Sequence, residues 1–182
     1  MSLEGLVRFL STSLRGAGIP FMLTGSVAAG YHGASRATMD VDAVIDPTAS
    51  RLSTFLNAVL DAGLYVSEEA ASEALATRGM FKVVDPRTGW KADLIVRKHR
   101  AFSEEEFARR EVVDFLGVEV AVATLEDIVL SKLEWAVLGA SSRQLEDVRA
   151  LLRINRGAVD LTYIERWVDL LGVRHAWESA RH

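Results

Sequence analysis

The chain has 182 residues, a formal net charge of −4 at neutral pH, and an apolar fraction of 49%. This length suits one compact domain, with or without a small helical appendage, and the apolar fraction is enough for a real core. The absence of cysteine excludes disulfides and thiol catalysis, and the negative net charge argues against general attraction to nucleic acid.

Helical and strand patterns alternate through the first two thirds of the sequence. Leucines at helical spacing predict a helix over 3–16, short apolar runs predict strands over 20–23 and 41–45, and Ser26 is expected to open a short helix between those strands. The same reasoning predicts helices at 48–62, at 67–77 and from Ser103, and hairpins that pair 80–85 with 90–96 and 111–115 with 118–123.

The pattern becomes wholly helical after Thr124, with predicted helices at 124–139, 142–155 and 160–171. We therefore expect an α/β core over residues 1–123 and a helical portion packed on it over residues 124–182. The apolar runs are too short to cross a bilayer, so no membrane association is expected. The lack of cysteine suits a reducing cytoplasm.

Two aspartates one residue apart mark the start of the apolar strand at 41–45. Because strand side chains alternate, Asp40 and Asp42 point the same way, and like charges so close destabilise each other unless a cation lies between them. Mg²⁺ binds in this way, through one or two carboxylates and the oxygens of a substrate phosphate. Asp93, a single acid inside the apolar strand "ADLIV", is the candidate for a third carboxylate.

The pair Gly25-Ser26 lies between a predicted strand and a predicted helix. Glycine lets the backbone approach a phosphate closely, a helix N-terminus favours anions, and Ser26 adds a hydroxyl. A metal at one end and a phosphate-binding turn at the other end are what a nucleoside triphosphate site requires.

This arrangement of motifs resembles the polymerase-β-type nucleotidyltransferase superfamily. Gly25-Ser26, thirteen intervening residues, Asp40-Val41-Asp42 and a later strand with Asp93 follow the signature of that superfamily. The context Arg36-x-Thr38-x-Asp40-x-Asp42 is similar to its compact bacterial branch, which includes abortive-infection and related toxin nucleotidyltransferases. A lysine, an arginine and an acid in the helical half match that branch at Lys132, Arg143 and Asp147.

The resemblance implies an α+β fold, with a small mixed β-sheet core and a C-terminal helical portion. It implies metal-dependent transfer of a nucleoside monophosphate from an NTP to a hydroxyl of RNA, protein or a small molecule, with Mg²⁺ or Mn²⁺ as cofactor. The implied catalytic and metal-binding residues are Asp40, Asp42 and Asp93. The implied nucleotide-binding residues are Gly25, Ser26, Arg36 and Lys132, with Arg143 and Asp147 in support.

Several of these residues also have structural interpretations. Asp93 could pair with Lys82 or Lys91, and Arg143 with Asp147, which lies one helical turn further on. The run "RKHR" at 97–100 is either a patch for RNA or polyphosphate or a solvated charge run. The alternative function is a non-catalytic binding module, such as one component of a toxin–antitoxin pair, or an interaction domain whose acids are structural. A homodimer and a cognate partner protein both remain open.

Overall fold

The computed structural model describes residues 1–34 and 37–181. Within that part of the chain the helices are α1 (Leu3–Gly16), α2 (Gly25–Tyr31), α3 (Ala49–Asp61), α4 (Glu68–Thr77), α5 (Ala101–Arg109), α6 (Leu125–Gly139), α7 (Ser142–Ile154), α8 (Leu161–Leu170) and α9 (Arg174–Arg181). The strands are β1 (Phe21–Thr24), β2 (Asp40–Ile45), β3 (Tyr65–Val66), β4 (Met80–Val84), β5 (Lys91–Val96), β6 (Glu111–Phe115) and β7 (Val118–Val122).

These strands form one mixed sheet in the order β3-β4-β5-β2-β1-β7-β6. The central strand β2 runs parallel to β5 and antiparallel to β1, and β1 runs parallel to β7. All four residues of β1 are buried, as a short apolar run in the middle of a covered sheet should be. The predicted α+β fold, with a small mixed sheet followed by helices, is confirmed.

Helix α6 contacts α2, which packs on β1 and β2, and it also contacts α7, α8 and α9. It therefore links the sheet side of the molecule to the other C-terminal helices. Its position is fixed by Asp127, which is fully buried and accepts hydrogen bonds from Thr124 Oγ1 at 2.6 Å and from Tyr163 Oη at 2.7 Å. Arg109 of α5 adds an ion pair to the same carboxylate at 3.2 Å. Burial and the hydrogen bond to Asp127 raise the pKa of Tyr163, so this phenol remains a donor.

The structure differs from the sequence-based elements in three places. Helix α5 begins at Ala101, so Ser103 lies inside its first turn and accepts a hydrogen bond from Arg100 Nε instead of forming the expected capping box. The two-residue strand β3 and the terminal helix α9 were not predicted.

In the ranges 1–34 and 37–181, no helix combines the length and apolarity needed to cross a membrane. The division of the chain at residue 123 stays a prediction.

Candidate active site

The strand register brings the three predicted carboxylates to one face of the sheet. Asp42 of β2 lies directly opposite Asp93 of β5 on one side and Thr24 of β1 on the other. Asp40 is two residues earlier on β2 and therefore shares the face of Asp42. All three carboxylates line one cavity of about 310 Å³, which we call the carboxylate cavity.

Asp42 is the most strongly perturbed member of this cluster. Its pKa is raised above the ordinary value, first by burial, then by the negative charge of Asp93, with a smaller contribution from Asp40. The backbone N–H of Ser26 and the charge of Lys132 act in the opposite direction. Burial and the neighbouring carboxylates thus disfavour the ionised form of Asp42 more than the Ser26 N–H and Lys132 favour it.

Gly25 is required for Asp42 to occupy its position. Gly25 has φ of +63°, and a Cβ built on it would lie 2.0 Å from Asp42 Oδ2 and 2.8 Å from Asp42 Cβ. No other residue type fits such a turn without displacing the aspartate. The next residue, Ser26, donates its backbone N–H to the Asp42 carboxylate. Gly25 and Ser26 also line the carboxylate cavity; their role in nucleotide binding stays a prediction.

Asp93 forms the ion pair that sequence reasoning offered as the alternative. Lys82 of β4 lies opposite Asp93 of β5, and Lys82 Nζ is 2.6 Å from Oδ1 and 2.7 Å from Oδ2. In the described part of the chain, no three His, Cys, Asp or Glu side chains form a group that could hold a metal ion as they stand. The same face of the sheet therefore carries all three acids, and Asp93 is held in an ion pair by Lys82.

The chemistry of the donor set nevertheless fits a divalent cation. Carboxylate oxygens on adjacent strands are the ligands that Mg²⁺ and Mn²⁺ take in proteins. Burial first, and then the negative charges of Asp93 and Asp40, raise the pKa of Asp42, and a bound cation would favour its ionised form. For all three carboxylates to bind a metal, Asp93 would have to give up its ion pair with Lys82.

Lys132 of α6 is an internal cation and not part of a solvated helix face. Its side chain is only 3% exposed, and Nζ donates to Asp147 Oδ2 at 2.6 Å and to Gln144 Oε1 at 3.1 Å. It lines the carboxylate cavity together with Ser26, and its charge opposes the rise in the pKa of Asp42. Lys132 therefore joins α6 to α7 at the wall of the site.

The other cations predicted for the site lie in different surroundings. Arg143 also lines the carboxylate cavity, and the salt bridge that the structure shows for Asp147 goes to Lys132 and not to Arg143. Arg36 lies outside the described residues. The run at 97–100 is partly neutralised inside the fold, because Arg97 pairs with Asp46 at 2.9 Å and Arg100 pairs with Glu134 at 2.6 Å.

On the α6 wall of the site, sequence reasoning found Lys132 but missed Ile128, Ser131 and Trp135. Ile128, Ser131, Lys132 and Trp135 follow one another at helical spacing along α6, and all four line the carboxylate cavity. Trp135 is 49% exposed, so its ring is available to a ligand. Tracing the helical face of Lys132 in both directions would have found them.

A smaller cavity of about 100 Å³ adjoins the carboxylate cavity and shares four residues with it: Thr24, Ile95, Ser131 and Trp135. Glu106 of α5 lies in its wall and accepts a hydrogen bond from Ser131 Oγ at 2.9 Å. Burial raises the pKa of Glu106 to about 8, so this side chain is largely protonated at neutral pH. A groove therefore runs from the three carboxylates past Trp135 to Glu106.

Comparison with solved structures supports the same fold. The chain resembles ANT(2'')-Ia in its crystal structure with adenylyl-2''-tobramycin, with a TM-score of 0.62 at 14% identity over 96% of this chain and 99% of that one. It also resembles the lincomycin-bound lincosamide antibiotic adenylyltransferase LnuA (TM-score 0.57, 10% identity, 85% and 98% covered). An antigenic nucleotidyltransferase-like protein from Paracoccidioides brasiliensis gives a TM-score of 0.54 at 17% identity, with 98% and 91% covered.

No protein-family model matches this chain, and the search of curated proteins gave no match. The structural likeness thus shows that the chain has the fold of these nucleotidyltransferases, as the motif resemblance implies. The finer resemblance to the abortive-infection and toxin branch stays a prediction.

Proposed function

We propose that this chain is an enzyme that transfers a nucleoside monophosphate from an NTP to a hydroxyl acceptor and releases pyrophosphate. The observation that carries the proposal is the register of Asp42 with Asp93, which gathers three carboxylates beside the Gly25-Ser26 turn in one cavity. The nucleotidyltransferase fold supports the same conclusion. Fold alone does not specify an activity, so the site carries the argument.

Asp40, Asp42 and Asp93 would hold Mg²⁺ or Mn²⁺. When bound, the cation would offset the charge of the carboxylates and of the triphosphate oxygens. The Gly25-Ser26 backbone can approach the phosphates closely, and Asp42 would keep its hydrogen bond to Ser26 N–H.

The acceptor hydroxyl would attack the α-phosphorus, and pyrophosphate would leave with the bridging oxygen. Asp93, once released from Lys82, would take the hydroxyl proton. Lys132 and Arg143, with Arg36 from outside the described residues, would offset the negative charge of the triphosphate. Asp147 would support this arrangement by holding Lys132.

The acceptor is RNA, a protein or a small molecule, and the groove past Trp135 towards Glu106 is where we place it. The two antibiotic adenylyltransferases with this fold make a small hydroxylated molecule the first candidate to test. A cytoplasmic location, and a homodimer or a cognate partner protein, remain proposals. One observation favours the second function, a non-catalytic binding module: Asp93 is already neutralised by Lys82 at 2.6 Å.

Pyrophosphate release distinguishes the two functions. The purified protein is incubated with each NTP and Mg²⁺ or Mn²⁺, and with cellular RNA, cellular protein, lincomycin or tobramycin as acceptor. Asp42→Asn should abolish release, whereas Asp61→Asn, a matched change at an exposed site on α3, should leave it intact. Metal-dependent NTP binding without pyrophosphate release in any mixture would instead support the binding module.

A further inference from the structure

A second cavity, of about 880 Å³, lies among helices α7, α8 and α9. It shares no lining residue with the carboxylate cavity, and the proposed transfer reaction makes no use of it. We call it the arginine cavity, after the four arginines in its wall: Arg149, Arg153, Arg156 and Arg181. Its volume lies in the range of small-molecule sites, roughly 300–1,000 Å³.

The wall of the arginine cavity carries a marked excess of positive charge, although the chain as a whole has a net charge of −4. Arg149 and Arg153 lie one helical turn apart on α7, and Arg156 follows in the turn after that helix. Among the described residues of the cavity wall, Glu165 of α8 is the one carboxylate, and it already accepts a hydrogen bond from Trp177 Nε1 at 2.8 Å and pairs with Arg181 at 3.0 Å. An anion entering the cavity therefore meets uncompensated guanidinium groups.

Two of the arginines are fixed and two are available. Arg149 Nη2 donates to the carbonyl oxygen of Ser179 at 2.7 Å, and Arg181 is held by Glu165. For Arg153 and Arg156, both exposed, the structure shows no salt bridge to any described residue. Guanidinium groups of this kind bind phosphate, sulfonate and carboxylate groups with paired N–H donors.

The remainder of the wall is apolar. Leu152 and Val159 are partly buried, and Leu161 is 52% exposed at the start of α8. Trp177 and Ala180 of α9 are buried beneath them, and the indole N–H of Trp177 is already used by Glu165. This surface offers little to a purely polar ligand and gains free energy when an apolar group covers it.

We propose that the arginine cavity binds a small amphipathic anion, with its charged group at Arg153 and Arg156 and its apolar part on Leu152 and Leu161. Arg153 and Arg156 favour an anionic group, and the apolar surface of Leu152 and Leu161 favours an apolar group attached to that anion. The headgroup chemistry, a phosphate or a carboxylate, is shared by several kinds of metabolite and lipid.

The probe for the test is 1-anilinonaphthalene-8-sulfonate, an apolar anion whose fluorescence rises in such surroundings. We expect saturable binding of one dye per chain, and a rise of about tenfold in its Kd for the double variant Arg153→Gln/Arg156→Gln, since each loses a charge-assisted contact. Arg51→Gln removes one arginine charge from an exposed site on α3 and should leave the dye Kd within about twofold of the original value. Unchanged thermal unfolding of the double variant would show that the fold is retained.

Competition then identifies the headgroup. Decyl phosphate and decanoate should displace the dye, and the one that does so at lower concentration identifies the preferred anion, whereas decanol should require a concentration at least about tenfold higher. The proposal is overturned if the double variant binds the dye as tightly as the original chain, or if decanol competes as well as the anions. It is also overturned if Trp135→Ala in the carboxylate cavity abolishes the dye signal while the arginine variants do not.

Discussion

Gly25→Ala tests the close contact between the β1–α2 turn and Asp42. An alanine Cβ at this position would lie 2.0 Å from Asp42 Oδ2, 2.6 Å from Cγ and 2.8 Å from Cβ. The contact with Asp42 Cβ means that a new rotamer of the aspartate cannot relieve the clash, so the backbone of β2 or of the turn has to move. Such a movement would break the hydrogen bond from Ser26 N–H to the carboxylate.

The expected cost has two parts. A left-handed conformation costs an L-residue roughly 1–2 kcal/mol, and loss of a hydrogen bond to a charged group costs about 1.5–3 kcal/mol. Gly25→Ala should therefore lower the free energy of unfolding by about 2.5–5 kcal/mol, as read from urea denaturation. It should also abolish the rise in melting temperature that Mg²⁺ or Mn²⁺ produces by mass action.

Gly63→Ala is the matched control, because Gly63 has φ of +70° and its added Cβ would meet nothing within 4 Å. This variant should show the backbone cost alone, roughly 1–2 kcal/mol, and keep the full response to metal. If Gly25→Ala is no more destabilising than Gly63→Ala and still responds to metal, the proposed contact with Asp42 does not govern the site.

Three further predictions concern charged groups. Since the pKa of Asp42 is raised, the folded state binds its proton more tightly than the unfolded state does, and ionisation costs stability as the pH rises above 3.8. The free energy of unfolding of Asp42→Asn at pH 7, read from urea denaturation, should therefore equal or exceed that of the original chain. A large loss of stability would contradict this. Glu106 also has a raised pKa, so the folded protein should lose stability as the pH rises from 4.5 towards about 8. Glu106→Gln should flatten that decline, and equal slopes of unfolding free energy against pH in the two proteins would contradict this. Lys132→Ala should lower the free energy of unfolding, by up to about 3 kcal/mol, because it removes the cation 2.6 Å from Asp147. Lys132→Ala/Asp147→Ala should recover part of that loss, and an unchanged free energy of unfolding in the single variant would show that this ion pair does not stabilise the fold.

Much of the fold could be predicted because its signals are local. The leucine spacing of α1 and the apolar run of β2 each specify an element without reference to the remainder of the chain. The two-residue strand β3 carries too few residues for a period to show, and α5 begins early because Ser103 is buried and binds Arg100. Neither feature can be read without knowing the neighbouring elements.

In the candidate site, too, the local features could be predicted from the sequence, whereas those that depend on neighbouring strands could not. Alternation along β2 placed Asp40 and Asp42 together, but only the register with β5 shows that Asp93 lies beside Asp42. The ion pair of Asp93 with Lys82 depends on a further neighbour, β4, so sequence reasoning could offer it only as an alternative. Tertiary packing also brings Lys132, on another helix, to Asp147, whereas sequence proximity favoured Arg143.

Nucleotidyl transfer at the three carboxylates can be tested by following which phosphorus of the NTP reaches the acceptor. The protein is incubated with Mg²⁺ and an NTP labelled at either the α- or the γ-phosphorus, together with the RNA, protein and small-molecule acceptors. We expect α-label to become bound to an acceptor while γ-label leaves as pyrophosphate. Asp42→Asn should abolish both, and Asp61→Asn should have no effect. Label released as inorganic phosphate, or transfer that persists in Asp42→Asn, would contradict it.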